Sequence, residues 1–350
     1  MSAPACLNGL IGLSADPQDC FTDTEPEGYN ESASGYFVVD TDYGVPVAAC
    51  PVGGWGILTS ARNAALRDLA TDLPAALRDH WKAATLPWRG SVGKREGSGL
   101  TIPSQSRIGH RYTVRQKRGV YLNLKAAHLA LSVTGSYTLT IASTDPDFEP
   151  ITKTVTVGTA GAFTKTAFEA VVSLPLWADM VEDVDNKLRY FVTVNRGSAM
   201  PIANTFWCCG NAPNYTEYFY PEGLVASDSD GTNGSISANA QGLALEGYLS
   251  CDELGWLCQL DELGGYSAKD VLARTLQFRA GAVAIAALTN TLAVTPCTLY
   301  NLEALTARRN WLNTRYRENL QWLAQNVPAG ITDCFTCLDS DTIFHAKLIS

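Results

Sequence analysis

The chain has 350 residues, of which 46% are hydrophobic and 17% charged, a balance that excludes a largely disordered protein. Its formal net charge of −9 argues against nucleic-acid binding through bulk charge. The first residues lack a secretory pattern, and the most apolar window, residues 280–294, is shorter than the roughly twenty residues that span a bilayer. We therefore expect synthesis in a cytoplasm and no membrane partner.

The N-terminal residues 1–57 predict an extended acidic arm. Residues 1–50 carry eight carboxylates and no Lys or Arg, and their one strand-like run is residues 36–39. Because a polar, Gly- and Pro-rich segment cannot bury a core of its own, we expect it to dock on its own body or on a neighbouring subunit. The carboxylates assigned to this contact are Asp16, Asp19, Asp23, Glu25 and Glu27.

Residues 58–118 predict an amphipathic helix followed by a long basic loop. The helix is expected to begin at Thr59 or Ser60, to bend at Pro74 and to carry leucines at three- and four-residue spacing as far as Trp81. Residues 89–118 then hold eight cations against one acid, Glu96. This charge favours docking of an acidic arm, with weak contact to nucleic-acid phosphates as the alternative. The loop residues assigned to the interface are Arg107, Arg111, Arg115, Lys117 and Arg118.

Residues 119–200 alternate apolar and polar side chains, which is typical of β-strands. Strands are predicted at 120–124, 129–133, 137–141, 155–157, 172–174 and 188–194, with turn residues between them. Successive short strands indicate an antiparallel β-sandwich of jelly-roll or immunoglobulin-like type, and the pattern does not choose between the two. Residues 201–250 predict an irregular connection rich in glycine and aromatic residues.

The last segment, residues 251–350, predicts a C-terminal helical region. Ser267-Ala-Lys-Asp270 matches a capping box ahead of an alanine-rich helix over residues 271–292. A second long helix is expected between Pro296 and Pro328, antiparallel to the first. The predicted fold class is therefore α+β, with an extended arm, a central antiparallel β-sandwich and a C-terminal α-helical hairpin.

The ten cysteines include one pair with zinc-ligand spacing, Cys334 and Cys337. A structural zinc site needs a second pair, but Cys251 and Cys258 lie too far apart in sequence for such a pair. A disulfide or buried thiols are the favoured interpretation, and we expect neither a metal nor another cofactor. The chain holds four histidines and none of the short catalytic motifs, so we expect that it is not an enzyme.

Three features together resemble virion proteins of tailed bacteriophages. They are Cys6-Leu-Asn-Gly-Leu-Ile-Gly-Leu-Ser14 followed by Cys20, a sandwich ending in Trp207-Cys-Cys-Gly210, and a helical hairpin ending in Cys334-Phe-Thr-Cys337. The resemblance covers most of the chain and implies an arm, a sandwich, a helical pair and a structural role. That group has no assigned activity, so no catalytic or binding residue is transferred.

The charge pattern and the resemblance lead to one functional expectation. The chain is expected to be a virion structural subunit that assembles in the host cytoplasm with copies of itself and with other virion proteins. The favoured position is the neck, head–tail connector or tail, and a capsid-associated (decoration) or baseplate position is the alternative. The alternative is a carbohydrate- or surface-binding module. It is favoured by the sandwich and by the aromatic run between Tyr215 and Tyr220, which could instead be buried.

Overall fold

A computed structural model shows an α+β protein that divides into two compact units. We call them the helical unit (Met1–Ala83, Glu253–Ile331 and Phe335–Ser350) and the β unit (Ala84–Asp252 and Thr332–Cys334). The structure describes residues 7–14, 29, 31–38, 54–83, 86, 88–178, 180–181, 185–207, 213–228, 231–252, 254–259, 268–290, 302–326 and 332–337.

Three long helices form the helical unit: α1 (Gly54–Arg78), α2 (Ala268–Asn290) and α3 (Leu302–Gln325). The predicted leucine stripe of α1 is buried, while α2 buries small and large residues around much of its circumference and packs against both other helices. The two C-terminal helices are confirmed. Helix α1 begins at Gly54, earlier than Thr59, and ends before Trp81, which lies in a strand. None of the described helices combines the length and hydropathy needed to cross a membrane.

A polar network joins the three helices. Arg279 of α2 donates to Asp68 of α1 through Nε at 2.7 Å and to Asn313 of α3 through Nη1 at 2.8 Å. The guanidinium also lies 5.4 Å from the ring centre of Tyr316, whose hydroxyl donates to Asp72 at 2.8 Å. Because these partners come from three separate helices, the network fixes the rotation of each helix about its axis.

The described parts of the N-terminal arm pack within the helical unit. Leu10, Ile11 and Leu13 are buried, Gln277 of α2 donates to the Phe37 carbonyl at 2.6 Å, and Arg274 donates to the Tyr36 hydroxyl at 2.9 Å. This part of the arm therefore docks on its own chain. The acidic residues Asp16, Asp19, Asp23, Glu25 and Glu27 lie outside the described residues, as does Ser267 of the capping box.

A two-stranded antiparallel pair completes the described part of this unit. Strand β1 (Trp81–Ala83) pairs with β14 (Phe335–Cys337), and the Trp81 indole donates to the Ala324 carbonyl at the end of α3. The indole bond satisfies one of the four carbonyls that every helix leaves free at its C-terminus.

The β unit contains two antiparallel sheets. The six-stranded sheet has the order β12-β11-β4-β9-β6-β7 and the four-stranded sheet the order β2-β13-β5-β8, while β3 and β10 form a separate two-stranded ribbon. The chain passes from one sheet to the other between β4 and β5, β5 and β6, β7 and β8, β8 and β9, and β12 and β13, and the inner faces of both sheets supply the core. The strands are β2 (Arg89–Val92), β3 (Gly97–Leu100), β4 (Arg107–Val114), β5 (Val120–Leu129), β6 (Gly135–Ser143), β7 (Ile151–Val157), β8 (Thr164–Pro175), β9 (Arg189–Asn195), β10 (Ile202–Asn204), β11 (Phe219–Ala226), β12 (Gly234–Ser237) and β13 (Leu243–Cys251).

Two sequence-based assignments in this unit are wrong. The predicted basic loop contains strands β2, β3 and β4, and the predicted irregular connection at 201–250 contains β10 to β13. Glycine and charged residues concealed the strands of the first segment, since an exposed strand position accepts a cation as readily as a loop does. The sandwich therefore extends well beyond residues 119–200. The expected strands at 120–124 and 129–133 are one strand, β5, that ends at Leu129.

A disulfide joins Cys251, at the end of β13, to Cys334, which is 83 residues later in the chain. The segment around Cys334 lies beside Gly119, whose φ of +75° and close contact with the Thr332 hydroxyl exclude a side chain there. With its sulfur in this bond, Cys334 has no free thiolate, so the zinc interpretation of Cys334 and Cys337 fails. Cys337 contributes its backbone to β14.

Candidate docking groove on the β unit

The predicted basic interface residues are largely engaged within the β unit. Arg111 donates to Glu222 through Nε at 3.0 Å and Nη2 at 2.7 Å, because the two residues are directly opposite on β4 and β11. Lys117 lies 3.6 Å from Asp333, and the Arg118 guanidinium stacks 4.2 Å from the centre of a Trp177 ring.

Two further cations complete this set. Arg107 donates to the hydroxyls of Thr140 and Thr193, each at 3.3 Å, and Arg115 is exposed. The structure therefore does not gather Arg107, Arg111, Arg115, Lys117 and Arg118 into one unpaired cationic surface. The assigned arm carboxylates Asp16, Asp19, Asp23, Glu25 and Glu27 lie outside the described residues, so their contact with these cations stays a prediction.

An open groove of about 470 Å³ lies at the edge of the six-stranded sheet. It is built from three short segments: the residues that follow β10, the first half of β11, and the end of β12. Its volume is within the range of pockets that hold a small ligand or a few side chains, which is roughly 300–1,000 Å³. The lining residues are Thr205, Phe206, Trp207, Tyr220, Pro221, Glu222, Ile236, Ser237 and Ala238.

The described lining of the groove is mainly apolar. Trp207 and Tyr220 meet edge to face with ring centres 5.7 Å apart, and Tyr220 and Ile236 are 44% and 46% exposed. Among the described lining residues, Glu222 is the one that carries a charge, and Arg111 neutralises that carboxylate. Alternation along β11 explains the arrangement, since Tyr220 and Glu222 point outward while Phe219 and Pro221 are buried.

A buried histidine supports the back of the groove. His110 of β4 contacts the Phe206 ring at 4.8 Å, and its Nε2 lies 3.1 Å from both the Ala240 and the Leu243 carbonyls. Carbonyls only accept hydrogen bonds, so Nε2 carries the proton and Nδ1 accepts from the Tyr112 hydroxyl at 2.9 Å. Burial lowers the pKa of His110 to about 4 despite the two carbonyl hydrogen bonds, so the ring is neutral at pH 7.

A second buried polar residue holds the segment that leads into the groove. The Asn204 side-chain amide donates to the Lys94 carbonyl at 2.8 Å and to the Leu243 carbonyl at 3.1 Å, and its oxygen accepts from the Gly242 amide at 2.8 Å. Gly242 has a φ of +71°, and an added Cβ would lie 2.6 Å from the Ala130 carbonyl. Thr205 to Trp207 therefore emerge from a fixed backbone.

The aromatic run of the sequence divides between core and surface. Tyr215 and Phe219 are buried and stack with ring centres 5.1 Å apart, whereas Tyr220 lines the groove. Sequence reasoning missed Phe206, Trp207 and Ile236 as lining residues. Trp207 was visible as the end of the predicted sandwich, but the strand pairing that brings it to Tyr220 leaves no local pattern.

An uncharged loop with two exposed apolar side chains follows β3 in the same unit. We define the tip as residues 100–106, which carry no charge. Leu100 is 48% and Ile102 86% exposed. The Arg196 side chain donates to the carbonyls of Pro103, Gln105 and Ala199 at 2.7 to 3.1 Å, and its backbone amide donates to the Ser106 carbonyl. The Arg196 hydrogen bonds thus fix the backbone of the tip, while the side chains of Leu100 and Ile102 are exposed to solvent.

One charge cluster on the four-stranded sheet was also missed. Lys165, Arg95 and His128 all lie within 3.3 Å of one oxygen of Glu246, brought there by neighbouring strands. The hydrogen bond from Lys165 is the main reason why the pKa of Glu246 falls to about 2, while burial lowers the pKa of His128. Among the described residues, no group of three or more His, Cys, Asp or Glu side chains could hold a metal ion.

Comparisons with known proteins identify no family. No protein-family model matches the chain, and no curated protein matches it. Among solved structures, the D1-D2-D3 domains of the flagellar cap protein FliD from Escherichia coli align with 85% of this chain and 99% of their own length. That alignment has 12% sequence identity and a TM-score of 0.11, so it carries no argument about fold or function.

Proposed function

We propose that the chain is a non-enzymatic structural subunit of a bacteriophage virion, in the neck, head–tail connector or tail. It assembles through symmetric contacts with copies of itself and through contacts with other virion proteins. The observation that carries this proposal is the tip, a rigid and uncharged loop that exposes Leu100 and Ile102 to solvent.

The physical argument concerns entropy and burial. Docking a flexible loop costs about 0.5–1.5 kcal/mol for each side chain that must be ordered. The Arg196 hydrogen bonds already order the backbone of the tip, so burial of its apolar side chains contributes more fully to binding. Each Å² of apolar surface removed from water contributes about 25 cal/mol before the entropic costs of association are subtracted. A loop with an ordered backbone and exposed Leu100 and Ile102 side chains therefore suits a protein that docks on other proteins.

The arm is the second part of the proposal. Residues 7–14 and 31–38 anchor it in the helical unit, and the carboxylates from Asp16 to Glu27 are the residues that would contact a neighbour. Deletion of residues 1–50 would also remove the buried Leu10 and Ile11. A sharper variant converts Asp16, Asp19 and Asp23 to Asn and Glu25 and Glu27 to Gln, and we expect it to keep the fold while assembling more weakly at low salt.

The structural role is tested in particles. Virions purified from cells that produce this chain should contain it at a fixed copy number, measured by quantitative mass spectrometry, and antibodies should label one position on each particle in electron micrographs. A chain that is abundant in infected cells and missing from purified particles would contradict the proposal.

The groove favours carbohydrate binding as a second candidate function, because Trp207 and Tyr220 present aromatic faces at an open site. Sugars stack on such rings through their apolar C–H surface. A glycan array probed with the intact chain tests this candidate, with Trp207→Ala and Tyr220→Ala as the variants that should lose signal. Tyr218→Ala is the matched control, because Tyr218 lies outside the groove lining. An array without signal would remove the candidate.

A further inference from the structure

The tip and the groove lie at opposite ends of one ribbon. Leu100, the first residue of the tip, is paired with Ile202, and Gly97 is paired with Asn204, directly before the groove residue Thr205. The strand from Gly97 to Leu100 rises by about 10 Å, because each residue of a strand adds roughly 3.3 Å. The tip cannot fold back into the groove of its own chain without breaking the pairing of β3 with β10.

Neither the tip nor the described lining of the groove carries net charge, in a chain whose net charge is −9. The tip has no ionisable residue, and Glu222, the one charged residue of the described lining, is paired with Arg111. Two copies of an acidic protein repel each other through their charged surfaces, and this repulsion is least where both faces are neutral. The exposed Leu100 and Ile102 of the tip match the aromatic and aliphatic part of the described lining, so a second copy is the occupant that fits both features.

We propose that the groove of one copy receives the tip of a second copy, with Ile102 packed against Trp207, Tyr220 and Ile236. A two-fold axis that lies between the β3–β10 ribbons of the two copies would relate the tip of each copy to the groove of the other, so each copy inserts its tip while receiving that of its partner. Such an isologous pair makes the same contact twice and closes on itself. The inference rests on the proposed structural role and specifies the surface by which copies meet.

The test uses the full chain and two charge variants of surface residues, Ile102→Glu and Ile236→Lys. Light scattering across a concentration series should show that wild-type chain forms dimers. Each variant alone should raise the dissociation constant at least about 30-fold, because each removes an apolar contact from both halves of the interface. Val171→Glu is the matched control: Val171 is 44% exposed on the edge strand β8, and its substitution should leave the dissociation constant unchanged.

Mixing the two variants is the decisive experiment. In a mixed dimer, Glu at position 102 meets Lys at position 236 in one half, and the other half is wild type. The mixture should therefore regain an affinity within about tenfold of wild type, which also demonstrates that both variants are folded.

Three results would overturn the inference. The first is wild-type chain that stays monomeric at every concentration, and the second is Ile102→Glu chain that dimerises as tightly as wild type. The third is loss of glycan-array binding by Ile236→Lys with self-association unchanged, which would assign the groove to a sugar. Incorporation into particles is scored separately, so a monomeric chain that is present in virions overturns this inference and leaves the structural role standing.

Discussion

The two units of this protein handle their charged groups in different ways. In the helical unit, Arg279 collects partners from two other helices into one network. In the β unit, acids and cations that are distant in sequence meet across strands or loops, as single pairs at Arg111–Glu222 and Lys117–Asp333 and as a cluster around Glu246. Both arrangements show that charge separated along the sequence is neutralised in space. A basic run in the sequence is therefore weak evidence for a basic surface.

Both units bury polar side chains. Gln277 of α2 is buried and donates to the Phe37 carbonyl, and His110 and Asn204 of the β unit are buried and find their hydrogen bonds inside the protein. Changes to these buried groups should therefore affect stability more than changes to the partly exposed Arg279 network.

The largest effect is expected from removing the disulfide of the β unit. Closure of a loop of 83 residues by Cys251 and Cys334 stabilises the folded state by about 4–5 kcal/mol through the entropy of the unfolded chain. Cys251→Ala should therefore lower the urea midpoint of the transition that reports on β structure, followed by circular dichroism. The double variant with Cys334→Ala serves as control for the thiol left behind. An unchanged midpoint would show that the bond does not stabilise the unit.

The next effect is a loss of stability on mild acidification. The pKa of His110 falls from 6.5 in the unfolded chain to about 4 in the folded protein, so the unfolded chain binds the proton more tightly. Stability is then independent of this group above pH 6.5 and declines as the pH falls toward 4, by about 2 kcal/mol at pH 5. Glu246, with its pKa lowered to about 2, acts only below about pH 4.5.

Urea unfolding at pH 7 and pH 5 measures this dependence. His110→Gln keeps a neutral side chain that can both donate and accept, and it should abolish most of the difference between the two pH values. His128→Gln, a change to a half-exposed charge cluster, should reduce the difference less. Equal pH dependence in wild type and in His110→Gln would contradict the assignment.

A smaller effect is expected in the helical unit. Arg279→Leu removes hydrogen bonds to Asp68 and Asn313 in a partly exposed network, and we expect a loss of about 1–2 kcal/mol. Arg315→Leu removes an exposed pair with Glu318 on the same helix, and the expected loss is below about 0.5 kcal/mol. Thermal unfolding of both variants gives the ranking. Equal losses would mean that the network carries no more weight than a surface ion pair.

The smallest effect on stability is expected when an exposed cation is replaced, and the comparison is with a cation that is paired. Arg115→Glu changes an exposed residue and should leave the fold unaffected, whereas Arg111→Glu places two carboxylates opposite each other and should destabilise β4 and β11. If the arm contacts this region, Arg115→Glu should weaken assembly at low salt and have no effect at high salt. Identical melting curves for the two variants would contradict the pairing of Arg111 with Glu222.

Regular periodicity made much of the fold predictable. The leucines of α1, the apolar stripe of α3 and the alternation in β6 to β9 predict the right element type because each pattern is local, whereas β5 is one strand where the pattern predicts two. Strands β2 to β4 and β10 to β13 were missed because glycine, proline and charged residues interrupt their alternation, and only pairing with distant strands stabilises them. The boundary of the β unit could not be placed for the same reason.

The candidate site depends on long-range pairing almost entirely. Trp207 and Tyr220 meet because β10 and β11 converge, and Ile236 joins them through the pairing of β12 with β11. The backbone of the tip, which exposes Ile102, is fixed by hydrogen bonds from Arg196, 94 positions later in the chain. Nothing in the local composition around these residues signals that they share one surface or one loop.

The most direct test of self-association through uncharged surfaces is the mass of the intact chain by light scattering, measured across a concentration series at two salt concentrations, about 0.05 M and 0.5 M. At the higher salt, exposed charges are screened within a few ångströms, while apolar contacts persist. Docking of the uncharged tip in the groove of a second copy predicts a dimer whose dissociation constant is unchanged or lower at high salt. A monomer at every concentration, or a dimer that dissociates as salt rises, would contradict it.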